Sequence, residues 1–246
     1  MNKTVFMKLT LPAIVVFVVM LFVPIPVLMV DIMYAIVWVL SFGVLILTIK
    51  HGQDFATLPR VLLYLSMWIL AVAIAFTRTI LSMHRSVLFK YISVVNFNWI
   101  INVVVAAVFL IGTVILVKRG VGTTTEIALK FSLDTMSQRF YDVDNQLSKG
   151  EITADQASEQ KSRIRTDIDY CSRMDGVSKF LTGNVKALVL IYLVSMIGGA
   201  LVEVLYNGLS VWQSLKQVSF LGMWNAVLGT VPVIVLSVAV VCGMKG

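Results

Sequence analysis

The ionisable chemistry of this 246-residue chain is concentrated in one polar block, Lys118 to Asn184, set between long apolar stretches. One end of the block reads Gly120-Val-Gly-Thr-Thr-Thr-Glu126-Ile-Ala-Leu-Lys130-Phe131-Ser-Leu-Asp134. The other reads Met174-Asp175-Gly176-Val-Ser178-Lys179-Phe180-Leu-Thr-Gly183-Asn184. The block carries ten basic and ten acidic residues. That balance points to ion pairing within the block or between neighbouring copies, and argues against nucleic acid, which needs a basic face. No catalytic constellation accompanies these charges. Gly120-x-Gly122 does not lead into the Lys-Ser/Thr of a phosphate-cradling loop. The two histidines, His51 and His84, fall on opposite sides of the membrane in the topology argued below, which leaves no histidine-based catalytic or metal site. Cys171 lies in the polar block and Cys242 in the last apolar run, so the pair gives neither a disulfide framework nor metal-ligand spacing. The expectation is a non-enzyme with no cofactor and no metal.

Three ionisable residues lie in or beside apolar stretches: Asp31, Arg78 and Glu203. Burying a charge in hydrocarbon is costly, so such residues mark transport paths or snorkel to the interface. The neutral polar residues Ser41, Ser66, Asn102, Ser195 and Ser237 suit joining helices. The Ile197-Gly198-Gly199-Ala200 patch suits close helix contact.

These residues must be positioned by membrane helices. The chain is 59% hydrophobic and 13% charged, against about 25% charged in soluble domains. A span needs roughly 20 apolar residues. Leu9 to Ile49 is too long for one, and Pro24 and Pro26 break it. The apolar run beginning after Lys8 is too long for a signal peptide and lacks a clear cleavage site. The spans expected are 9–28, 31–49, 60–83, 96–117, 185–206 and 220–243, with Pro232 kinking the last. The fold class is therefore all-α: a polytopic membrane protein of about six transmembrane helices with one long cytoplasmic loop. Residues 1–117 form two hairpins, 118–184 the loop, and 185–246 two further spans. With the N-terminus inside, sixteen Lys and Arg face the cytoplasm and four face outward, as the positive-inside rule favours. Within the loop, Ser148 to Glu151 and Thr153 to Gln156 have capping-box spacing. They predict a helix from near Glu151 or Asp155 to Asp175, with a thin apolar stripe of Ala157, Ile164, Ile168 and Cys171. Gly120-x-Gly122 predicts a flexible exit from the fourth span.

The two quoted ends of the block resemble the signature segments of the FHIPEP family, the export-gate proteins of flagellar and virulence type III secretion. Pro24-Ile-Pro26 with Asp31, Pro59 followed by Thr77-Arg78, Gly198-Gly199 and Pro232 have counterparts there, and the resemblance covers essentially the whole chain. Several family positions differ: the signature arginine is Thr123, its Pro-Gly is Ser137-Gln138, and Lys-Gln continues as Arg139-Phe140. An Arg and two Asn of the second and third spans are Ile69, Ala73 and Val37. Acids at the fifth and sixth spans, the first tied to proton coupling, are Asn184 and Asn225. The resemblance implies an inner-membrane, multi-pass export-gate subunit in a homo-oligomeric ring. Its partners would be other type III export-gate membrane subunits, exported protein substrates and the lipid bilayer. It also implies contact or proton-path roles for Glu126, Lys130 and Asp134, for Asp175 and Lys179, and for Arg78 and Asp31. The family has further helices and a soluble domain beyond Gly246, so a truncated, inactive paralogue is one alternative. An unrelated small transporter or channel is the other, although it would show repeated halves.

Overall fold

The computed structural model describes residues 25–52, 56–82 and 98–244, all helix and short connection. Helix α1 is Val27–His51 and α2 is Leu58–Leu81. Helix α3, Trp99–Ile115, runs through a π-helical segment, Leu116–Gly122, into α4, Thr123–Ser148. Helix α5 is Ala154–Asn207 and α6 is Val211–Met244. Among the described residues, five helical stretches are long and apolar enough to cross a membrane, with α3 and α4 counted together. The first of the six expected spans, 9–28, lies outside the described residues apart from its last four positions.

Helix α6 is the centre of the bundle, packing on α5, α3, α1 and α2. The core around it includes Leu58, Leu62, Ile69, Phe76, Leu188 and Leu236, all buried. The outer faces stay apolar: Ile32 and Val39 of α1 and Val108 and Ile111 of α3 are exposed, as expected of surfaces that meet lipid tails. The double glycine of α5 acts as expected. A Cβ on Gly199 would fall 2.8 Å from Val218 of α6, and one on Gly198 would fall 2.9 Å from Leu81 of α2, so both backbones approach closely.

The polar block differs from a loop. It is two long helices joined at a turn where Gly150 takes φ 73°. Gly120-x-Gly122 is not a flexible exit, because the chain stays helical through it as a π segment. Val117 and Val121, one turn apart, are both buried there, and packing outweighs the glycine penalty of roughly 1 kcal/mol each. The Thr124 hydroxyl donates to the Gly120 carbonyl at 2.6 Å and Thr125 to Gly122 at 3.0 Å, the back-bonding to the preceding turn that a threonine can make inside a helix. Of the two capping-box spacings, the first starts no helix: Ser148 is the last residue of α4, and its hydroxyl donates back to the Asn145 carbonyl. The second forms: Thr153 accepts from the Gln156 amide, and the Gln156 side chain accepts from the Thr153 amide. The helix it starts does not stop at Asp175. It continues through the fifth span and ends at Gly208, which adopts φ 62°. Gly176 and Gly183 fail to break it because Val177, Ser178, Leu181 and Asn184 are buried around them.

Pro232 lies inside α6, where it has no N–H for the carbonyl of Leu228 one turn back. That carbonyl is taken instead by the indole N–H of Trp38 on α1, at 3.1 Å. A sequence defect in one helix thus becomes a bond to another. Trp38→Phe should lose about 1–3 kcal/mol by leaving the carbonyl unserved. Adding Pro232→Ala should recover much of that loss, since an alanine supplies the missing N–H. Thermal denaturation of the three variants in detergent checks this; no recovery in the double variant would assign the loss to ring packing.

Candidate functional site

The two ends of the polar block meet where α4 leaves the π segment. Thr125 is fully buried. Its hydroxyl lies 2.8 Å from that of Ser178 and 3.4 Å from Asp175 Oδ1, bridging 50 residues of sequence. Ser178 also donates to the Asp175 backbone carbonyl at 3.0 Å. The other oxygen of Asp175 takes Lys179 Nζ at 2.7 Å, with the carboxylate 6% exposed and the lysine 69%. Next to this pair, Glu126 and Lys130 form an exposed ion pair at 2.8 Å, one turn apart on α4.

The pairs sense each other electrostatically. The hydrogen bond and charge of Lys130 hold Glu126 below the usual carboxylate range, with a smaller contribution from the charge of Lys179. Glu126 in turn raises Lys130, and Asp175 raises Lys179. Asp134 is exposed a turn further along α4 and contributes its field to Lys130. Further out, the hairpin is clasped by Lys161 to Asp144 at 2.6 Å and by Arg165 over the Phe140 ring.

Arg78 and Asp31 are not part of this junction. They flank a buried polar seam inside the bundle. At its centre, the Asn225 side chain of α6 is 2% exposed. Its Oδ1 accepts from the Tyr34 hydroxyl of α1 at 2.6 Å. Its Nδ2 donates to Thr77 Oγ1 of α2 at 3.0 Å and to the Ala73 carbonyl at 3.5 Å. Thr77 is also 2.9 Å from the Ser195 hydroxyl of α5. One amide therefore ties four helices together. Asp31, buried, is three residues before Tyr34, and Arg78 follows Thr77 directly. Ser195 is 17 residues along α5 from Ser178, which puts seam and junction about 25 Å apart at 1.5 Å per residue.

Two smaller links extend the seam. Asn184 Nδ2 donates to the Ser66 carbonyl at 2.7 Å, and Asn102 Nδ2 to Ser219 at 3.4 Å. Ser66 offers α5 only its backbone carbonyl and turns its hydroxyl to Leu63 of its own helix, whereas Asn102 joins helices as expected, as does Ser195. Ser41 does not, bonding only to Val37 of its own helix. Tyr34 escapes sequence reasoning because its signal there is weak: a phenol in an apolar helix that needs a partner. Asn225 carries a stronger one, since an amide at lipid depth must pair.

These contacts give two expectations. Asp175 is buried, and removing its carboxylate takes one contact from Thr125, the ion-pair partner from Lys179 and the packing of the junction. Asp175→Ala should cost about 1–3 kcal/mol, and Glu126→Ala, which breaks only an exposed pair, should cost clearly less. Unfolding in detergent measures both, and equal costs would show that burial at Asp175 has no effect. At Asn225, the geometry uses both faces of the amide. Asn225→Ala leaves the Tyr34 hydroxyl without its acceptor and Thr77 without its donor, and should cost about 1–3 kcal/mol or more. Tyr34→Phe should then cost less in the Asn225→Ala background than in the parent, because the shared bond is already gone. A double-mutant cycle measures that coupling, expected at about 0.5–3 kcal/mol, and strict additivity would count against the bond.

Residues 17–243 match the family model described as "FHIPEP family". The chain is 29% identical over 230 residues to the flagellar biosynthesis protein FlhA of Salmonella typhimurium, covering 89% of this chain and 33% of that protein. It is 27% identical over 234 residues to FlhA of Bacillus subtilis, covering 92% and 34%. It is 27% identical over 229 residues to the secretion system apparatus protein SsaV of Salmonella typhimurium, covering 90% and 33%. The chain spans about a third of the length of these relatives. No solved structure matches it. A family match over nearly the whole length, with its apolar helices and its two signature segments meeting at one junction, places this chain in the FHIPEP family.

Proposed function

We propose that the chain is a membrane component of a type III protein export apparatus, flagellar or virulence. The family match over residues 17–243 carries this reading, and the likeness to both FlhA and SsaV supports it. On this reading the protein sits in the bacterial inner membrane with its N-terminus and the 118–184 hairpin in the cytoplasm. Copies form a ring around other export-gate membrane subunits, and exported proteins are the substrates. The protein is not an enzyme and uses no cofactor or metal. The buried seam holds the spans at fixed depth, and the junction of Thr125, Asp175, Ser178 and Lys179 sets the angle at which the charged hairpin leaves the membrane. Glu126, Lys130 and Asp134 face outward from that junction and suit contact with neighbouring subunits.

One observation favours a second reading, a paralogue that assembles without coupling protons. Asn184 and Asn225 stand where the resemblance implies acids, and both donate hydrogen bonds through amide nitrogens. A deprotonated acid cannot donate these bonds, and proton coupling needs groups that titrate.

Affinity purification of the tagged chain from a bacterium with an assembled apparatus should recover other export-gate membrane subunits; their absence overturns the proposal. Reporter fusions at Gly150 and Gly208, at opposite ends of α5, should read opposite sides of the membrane. In a strain lacking its full-length homologue, the chain as sole copy should not restore reporter secretion. Secretion near normal would remove the passive-paralogue reading.

A further inference from the structure

We infer that Lys118, Arg119 and Lys186 form a binding site for the headgroups of anionic phospholipids at the point where α3 and α5 leave the bilayer. The inference rests on these helices being membrane spans, and not on what the protein exports. The bond between Thr125 and Ser178 sets the register of the two antiparallel chains. Seven residues back from Thr125 lies Lys118, and eight residues on from Ser178 lies Lys186. All three cations are therefore at one height, and all three are exposed.

That height is one hydrocarbon thickness from the opposite aromatic belt. Trp99 opens α3 and packs on Trp212 at 5.4 Å between centroids, as interfacial aromatics do. From Trp99 to Lys118 is 19 residues, about 28 Å, and from Lys186 to Tyr206 is 20 residues, about 30 Å. Both match the roughly 30 Å core of a bilayer. On these two helices the flanking residues agree with this boundary: Ile111 and Ile115 on α3, Leu116 at the start of the π segment, and Leu190 and Val194 on α5 are exposed and apolar.

Among the described residues no carboxylate stands at this height on α3, α5, α2 or α6. There is no Asp or Glu from Trp99 to Thr125, from Gly176 to Val202, or anywhere in α2 or α6. The nearest acids below, Glu126 and Asp175, are taken by Lys130 and Lys179. Lys118, Arg119 and Lys186 form no ion pair among the described residues. Gly183, one turn from Lys186, has open space where a side chain would stand, and a Cβ on Gly120 would touch only the Leu116 side chain, at 3.8 Å. There is thus room for a phosphodiester beside both helices. A basic cluster at the bilayer surface attracts anionic lipid at about 1 kcal/mol per residue, and among the described residues no carboxylate pairs with it.

The test uses the whole purified chain in phosphatidylcholine vesicles with spin-labelled phosphatidylglycerol or spin-labelled phosphatidylcholine as probe. The motionally restricted signal gives the relative association constant. Phosphatidylglycerol should be favoured by at least about threefold, and the preference should shrink as salt is raised. Lys118→Gln/Arg119→Gln/Lys186→Gln should bring it to near one, while Lys118→Arg/Arg119→Lys/Lys186→Arg and the hairpin-tip control Lys149→Gln should keep it. If the triple glutamine variant fails to fold, Lys186→Gln alone should lower the preference measurably. No preference in the parent, or a preference that survives both the triple and the single variant, overturns the site. Loss of the preference on adding inorganic phosphate at constant ionic strength would assign the cations to a soluble anion and overturn the lipid assignment.

Discussion

Polar groups at lipid depth have no water to turn to, and the helix arrangement follows from how this chain answers that constraint. The Asn225 amide is the clearest case. It accepts from α1 and donates to α2, and through Thr77 it reaches α5. Its bonds are directional, so the four helices can slide or rotate past one another only by breaking them. Dispersion between apolar faces lacks that specificity, because a leucine meets another leucine or a lipid tail about equally well. The glycines at 198, 199 and 222 allow the close approach, and the seam then selects one register from those that close packing permits.

The Pro232 site follows the same logic from the opposite direction. There the deficit is on the backbone, and the answer is a tryptophan from another helix. Both devices converge on α6, the helix at the centre of the bundle. The π segment extends the pattern to the membrane boundary. Threonine hydroxyls serve its carbonyls, and buried valines hold it against α5. The chain therefore passes from bundle to hairpin without a flexible joint.

Much of this was legible in the sequence, and the parts that were not share a cause. The five described spans followed from apolar runs, and the capping box at Thr153 from side-chain chemistry that acts over three residues. Both are local. The continuity of α5 was not legible, because Gly176 and Gly183 signal a break locally and only burial from other helices overrides them. The same holds for Gly120 and Gly122. The junction was legible as two charged segments, and the i,i+4 spacing within each suits its ion pair. That the segments face each other through Thr125 is a contact across 50 residues, which no local pattern encodes. Asp31 and Arg78 were legible as unusual residues in apolar helices, but not as neighbours of the seam, since Tyr34 and Thr77 acquire their meaning only from the position of Asn225.

The length of α5 has a mechanical consequence. Its 54 residues make a rod of about 80 Å. Roughly 20 residues lie beside the bilayer core and the rest stand clear of it, braced by α4 and by the clasp from Lys161 to Asp144. A braced rod of this kind behaves as a lever pivoting in the membrane. A tilt of about 5° at the pivot would carry a tip some 50 Å away through about 4 Å, more than a hydrogen bond can span. Small displacements among the spans are thereby magnified at Gly150, and a force applied at the tip is returned to the bundle with the same advantage.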